Sequence, residues 1–93
     1  MVIGVAVWEL EIFGCQSLKE KRRVVRSLKD RLRDRFNVSV AETAHHDLWQ
    51  RAELTACCVS RERRPVESIL EKADRLVARE HRARIIDSYR SFR

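Results

Sequence analysis

Glycine and proline are nearly missing from this chain, which has two of the first and one of the second in 93 residues. With so little glycine there is no glycine-rich loop to cradle a nucleotide's phosphates. No internal linker, low-complexity tract or residue-level repeat interrupts the chain either. Cysteine is sparse and unpaired: Cys15, Cys57 and Cys58 make an odd count without a C-x-x-C pair. That argues against a disulfide framework and a zinc knuckle, and it fits a reducing cytosol. Cys57 and Cys58 are neighbours on a predicted strand, so they face opposite ways and cannot share one metal. No stretch approaches the roughly 18 apolar residues of a membrane span. The apolar amino terminus carries Glu9 and Glu11 and no positive flank, unlike a secretory signal. Neither a triad order nor a second carboxylate cluster is visible, so no catalytic residue, metal or cofactor is expected.

What the chain has in abundance is charge. Charged residues make up 37% of it, against about a quarter in an ordinary globular domain, while the apolar share of 44% is unremarkable. A chain of this length buries somewhat more than ~60% of its unfolded surface, enough for one domain spanning 1–93 without staples. The net charge of +6 is concentrated. Between Ser17 and Phe36 nine cations (Lys19, Lys21, Arg22, Arg23, Arg26, Lys29, Arg31, Arg33, Arg35) face three anions (Glu20, Asp30, Asp34). The rest is balanced, eleven against eleven. Attraction for a polyanion would concentrate on that one segment.

Val2 to Phe13 reads as a strand: Val2, Ala6, Trp8, Leu10 and Ile12 form one apolar face, and the other turns from Ile3, Val5 and Val7 to Glu9 and Glu11. Gly4 inside it suggests close packing of another element, or a bulge. Gly14 and Cys15 make a turn. Ser17 and Glu20 then form a capping box that opens a helix with the stripe Leu18, Val25, Leu28, Leu32 and Phe36, and Asn37 can end it. Val38–Thr43 and Ala52–Ser60 read as two strands around a long hairpin connection, and Arg61–Arg64 as a charged loop. Pro65 opens a second helix with the stripe Val66, Ile69, Leu70, Ala73, Leu76 and Val77. His81 is expected to help its carboxyl end. Arg84–Tyr89 reads as a short last strand followed by a frayed tail. The order βαββαβ predicts an α+β, ferredoxin-like sandwich, a four-stranded antiparallel sheet with both helices on one face. Trp8, Leu10, Val25, Leu28, Leu32, Leu54, Ile69 and Leu76 are expected in its core.

Two places invite a functional reading. Lys19, Lys21 and Arg22 sit in the first turns of the first helix, where the macrodipole disfavours cations, so stability alone would not select them. Free N–H groups with basic side chains suit a phosphate; a merely solvated, arginine-rich face with Glu20–Arg23 or Asp30–Arg33 pairs is the plain alternative. In His45–Arg51, His46 and Asp47 could act as a base and its orienter, or Trp49 beside Arg51 could stack on an unpaired base. The structural alternative is Asp47 capping one helical turn with Gln50 at its third position, and Trp49 lying over the hairpin as a lid.

The runs Ser17–Arg22 (SLKEKR), Ser27–Arg33 (SLKDRLR), Phe36–Glu42 (FNVSVAE) and His45–Leu54 (HHDLWQRAEL) together resemble the YlxP-like proteins, a bacterial family of unknown function, over nearly the whole chain. The resemblance implies a ferredoxin-like fold, a cytoplasmic location and gene neighbourhood with transcription-elongation, translation-initiation and ribosome-binding factors. It implies no catalytic residues. Cys15 and His45 depart from the pattern.

The leading expectation is a non-enzymatic RNA-binding or ribosome-associated factor. It would dock phosphates on Lys19, Lys21, Arg22, Arg23 and Arg26, with a base near Trp49 and Arg51. A homodimer through the open sheet face (Ile3, Val5, Val7) is the first alternative, and a small hydrolase or metal enzyme at His45, His46 and Asp47 the second.

Overall fold

The face of the first strand that carries Ala6, Trp8, Leu10 and Ile12 decides which side of the sheet is dry, and the remaining elements follow it. A computed structural model describes residues 1–93. It has β1 (Val2–Ile12), α1 (Leu18–Arg35), β2 (Ser39–Ala44), β3 (Arg51–Ser60), α2 (Arg63–Ala78) and β4 (Ala83–Phe92). The strands lie in the order β2-β3-β1-β4, every neighbouring pair antiparallel. This is the expected α+β, ferredoxin-like arrangement.

Ala6, Trp8, Leu10 and Ile12 of β1 join Ala52, Leu54 and Ala56 of β3 beneath both helices, in one contiguous core. Leu28 and Leu32 of α1 and Val66, Leu70 and Ala73 of α2 are fully buried in it. Trp8 keeps its polar atom satisfied there, with Nε1 donating to Asp74 on α2 at 2.8 Å. Gly4 marks the close approach its position suggests: a Cβ at Gly4 would lie 2.2 Å from Val66 Cγ1. No helix is long and apolar enough to cross a membrane.

Several local expectations need correction. Phe36, not Asn37, ends α1: it is extended and its N–H bonds the Leu32 carbonyl at 2.9 Å. Its ring packs half-buried against the core, so the chain passes straight into β2 without a left-handed residue. α2 begins at Arg63, two residues before Pro65, because Arg63 is held by Glu67 one turn on and by the Phe92 ring, 4.2 Å away. Ile69 is half-buried at the margin of its stripe. The tail is not frayed: β4 runs to Phe92, and Arg93 exchanges two 2.8 Å backbone hydrogen bonds with Ile3. Residues 45–50 contain no helical turn; His45, with φ of 63°, opens a β-turn closed by the Leu48 N–H at 3.1 Å. His81 is exposed in the α2–β4 turn, near Glu80 rather than at helix carbonyls.

Candidate functional site

Ser17 starts α1 as its sequence predicts, with an extended backbone and Oγ accepting the Glu20 N–H at 3.1 Å. The reciprocal half of the box reaches one residue further back, where the Glu20 carboxylate accepts the Gln16 N–H at 2.8 Å. Lys19, Arg22, Arg23 and Arg26 follow at helical spacings of three and four, so they form one stripe about 10 Å long on the outer face. All four are exposed. With Ser27 and Asp30 they line a shallow depression of about 510 Å³. None of them takes part in any of the protein's ion pairs. Elsewhere seven arginines (Arg31, Arg33, Arg51, Arg63, Arg82, Arg84 and Arg90) reach a carboxylate within 4.0 Å, while Arg35, Arg61, Arg64, Arg75, Arg79 and Arg93 do not. Four of the uncompensated cations are therefore grouped in the amino-terminal half of α1, the part of a helix least suited to cations.

Lys21 does not belong to that stripe. It is 1% exposed, so it cannot reach a ligand's phosphate. Its Nζ lies 2.9 Å from Glu42 of β2 and donates to the His45 carbonyl at 2.5 Å. A buried ammonium is tolerable only when paired and hydrogen-bonded, and both conditions are met here. The effect is to fasten the β2–β3 loop to the start of α1.

That loop carries Trp49, which is 50% exposed and covers no core as a lid would. Asp47, Leu48, Trp49, Gln50 and Arg51 line an open depression of about 500 Å³. Asp47 caps nothing, since no helical turn forms. The supposed base does not bond its orienter: His46 Nε2 meets the Glu42 carbonyl at 3.1 Å and the Asp47 carboxylate bonds neither histidine, while His45 Nε2 lies 3.0 Å from Glu9. Arg51 is drawn to the same Glu9 at 3.1 Å, which leaves it half exposed rather than a free cation. Burial pushes the Glu9 carboxyl up, but hydrogen bonding with Arg51 and His45 outweighs it and holds the group below its usual value.

On the open face of the sheet the register pairs Ile3 with Val59, Val5 with Cys57, and Val7 with both Thr55 and Tyr89. Val7 is buried, at 6% exposed, which removes it from the expected contact patch. Val59 and Tyr89 are exposed and take its place, two residues sequence reasoning did not assign there. Phe13 is a further omission: it is 50% exposed just beyond β1. Its signal was available, an aromatic side chain at a strand end followed by a turn glycine.

Residues 3–90 match the protein family described as "Protein of unknown function (DUF503)". The chain is also 38% identical over 71 residues to the "Uncharacterized protein YlxP" of Bacillus subtilis (strain 168), which covers 76% of this chain and 77% of that one.

Proposed function

The chain belongs to the DUF503 family of unknown function, and we propose that it is a non-enzymatic, cytoplasmic RNA-binding or ribosome-associated factor that docks phosphates on the outer face of α1. One observation carries this reading. Lys19, Arg22, Arg23 and Arg26 are exposed, unpaired and aligned on one face, in a helix segment whose dipole opposes them. Charge kept against local stability is charge with an external use. The test is an Arg22→Ala, Arg23→Ala double variant. It should fold normally, because neither side chain bonds the rest of the protein. Its affinity for ribosomal RNA should fall, and the slope of log affinity against log salt should drop by about 1.4, or ~0.7 per phosphate contact of a single strand. The reading fails if the native protein binds neither ribosomal RNA nor ribosomal particles at low salt.

A second reading rests on the open sheet face. Ile3 and Val5 lie half-buried beside exposed Val59 and Tyr89, an apolar surface that a second copy of the chain could cover. Sedimentation showing a monomer at high concentration would remove it.

A further inference from the structure

Residues of the open sheet face fall into rows across β3, β1 and β4. Val59 stands beside Ile3, Cys57 and Ser91 flank Val5, and Thr55 and Tyr89 flank Val7. The next row holds only carboxylates, Glu53, Glu9 and Asp87. Both helices pack on the opposite face, over Ala6, Trp8 and Leu10, so these rows have no cover within the chain. Val59 and Tyr89 are more than half exposed, at 62% and 58%.

The size of the face and its symmetry define what would cover it. The rows from Ile3 to Val7 span four strands ~4.8 Å apart and five residues at ~3.4 Å each, roughly 300 Å² in projection. Each side of a standard interface buries about 800 Å². A stable cover must therefore extend over the carboxylate row as well, and it must bring cations there.

The symmetry is centred on Val5. Ile3 and Val7 stand two residues to either side of it. On β3, Glu53 comes four residues before Cys57, the residue paired with Val5, and Arg61 comes four residues after it, immediately beyond the strand's last residue, Ser60. Arg61 is exposed and joins none of the protein's ion pairs. One strand thus carries an anion and a free cation equidistant from the middle of the apolar rows. An isologous contact requires that arrangement, because in it residue i meets residue j while j meets i.

We infer that the cover is a second copy of the chain, stacked face to face about a two-fold axis that crosses the strands at the level of Val5 and Cys57, so that equivalent strands run in opposite directions. Val5 then lies over the second copy's Val5, Ile3 over its Val7, and Glu53 over its Arg61. Facing sheets lie ~10 Å apart, a gap that a glutamate and an arginine span together. Stacking with equivalent strands in the same direction would match the apolar rows equally well, but it would set the carboxylate row against the second copy's own. The inference rests on the second reading above and adds the orientation of the two copies and the ion pairs that fix it. Both α1 stripes stay on the outside of such a dimer.

Sedimentation equilibrium of the full chain tests it. The native protein should reach a reversible dimer at high concentration, and Val5→Lys should remove the dimer while the circular dichroism stays native. Arg61→Glu should raise the dimer's Kd about 5- to 30-fold, because the ion pair is made twice per dimer and each pair becomes a repulsion. Glu53→Lys should raise it in the same sense. The double change Arg61→Glu, Glu53→Lys should return it close to the native value, which no loss of folding could do. A dimer that tightens with Glu53→Lys and ignores Arg61→Glu would overturn the orientation, and the sheet-face dimer would stand without it so long as Val5→Lys still dissolves it. A monomer at every concentration, or a dimer indifferent to Val5→Lys, would overturn both.

Discussion

Glu80→Gln should destabilise the protein at neutral pH and hardly at all in acid. Glu80 is 4% exposed in the turn between α2 and β4, and its carboxylate is the hub of that turn. Arg82 donates to it three times, through its backbone N–H at 3.0 Å and through Nε and Nη2, both at 2.9 Å. Arg31 of α1 donates a fourth bond, clamping the turn to the first helix. The Arg82 side chain is the chief reason that the Glu80 carboxyl titrates at about 2 instead of its ordinary 4.5; the backbone bond and Arg31 add to it, and burial opposes them. At ~1.4 kcal/mol per pH unit the shift corresponds to at most about 3.5 kcal/mol of stability. Because the Arg31 and Arg82 side chains are 43% and 39% exposed, solvent screening brings the expected figure nearer ~2 kcal/mol. The native value lies below the unfolded one, so the contribution is complete above 4.5 and fades as pH falls toward 2. More than half of it should be gone at pH 3. In urea titrations followed by circular dichroism, the midpoint of Glu80→Gln should lie about 1 to 2 M below that of the native protein at pH 7, and the gap should narrow steadily in acid. A gap of under 0.5 kcal/mol at pH 7, or one that persists undiminished at pH 3, would refute the reasoning.

Lys21→Met should cost about 3 kcal/mol in the same assay, because it leaves the Glu42 carboxylate, 17% exposed, without its cation. Adding Glu42→Leu should recover most of that loss, and a loss of under 1 kcal/mol for the single change would show the pair to be dispensable. Leu28→Ala, at a fully buried position of α1, should lower the unfolding free energy by about 2 to 5 kcal/mol. A loss below 0.5 kcal/mol there would mean that the helix does not depend on that contact.

Elements with a strong local period were legible before any coordinates. The apolar face of β1 and the stripes of α1 and α2 follow from spacings within one element, and Ser17 and Glu20 announce the start of α1 from four letters. What escaped notice depends on partners far along the chain. Lys21 reads as one more cation in a basic run, yet it stands three residues after Leu18 and four before Val25, inside the apolar stripe. Its burial becomes intelligible once Glu42 and the His45 carbonyl arrive from 21 and 24 residues away. The end of β4 escaped for a similar reason. Arg90 and Ser91 have the composition of a tail, and they are held by backbone pairing to β1, with Phe92 reaching the space that Gly4 leaves free. The loop at His45–Gln50 was misread because Asp47 and Gln50 match a capping pattern, whereas the chain there turns at His45.

The placement of anions explains why the proposed RNA surface lies on the helical side and not on the exposed sheet, although the ferredoxin-like arrangement leaves that sheet face uncovered. Across β3, β1 and β4 the register aligns Glu53, Glu9 and Asp87 in one row. Directly opposed like charges on neighbouring strands are unfavourable, and the protein offsets them with His45 and Arg51 at Glu9 and with Thr43 at Glu53, 2.5 Å away. One position further, Glu11 consumes Arg84 at 2.7 Å. Both guanidinium groups on this half of the face are therefore committed to carboxylates, while Asp87 carries no cation of its own. A phosphate approaching the sheet would meet a band with more anions than cations, and to bind it would have to compete for Arg51 or Arg84. On α1 it meets four cations with no carboxylate partner to displace. The two surfaces thus differ in sign as well as in shape, and an RNA bound on α1 leaves the apolar half of the sheet free for a second copy of the chain. On that arrangement the two proposed uses are independent, and a substitution on the sheet face, such as Val5→Lys, should leave the salt slope of RNA binding where it was.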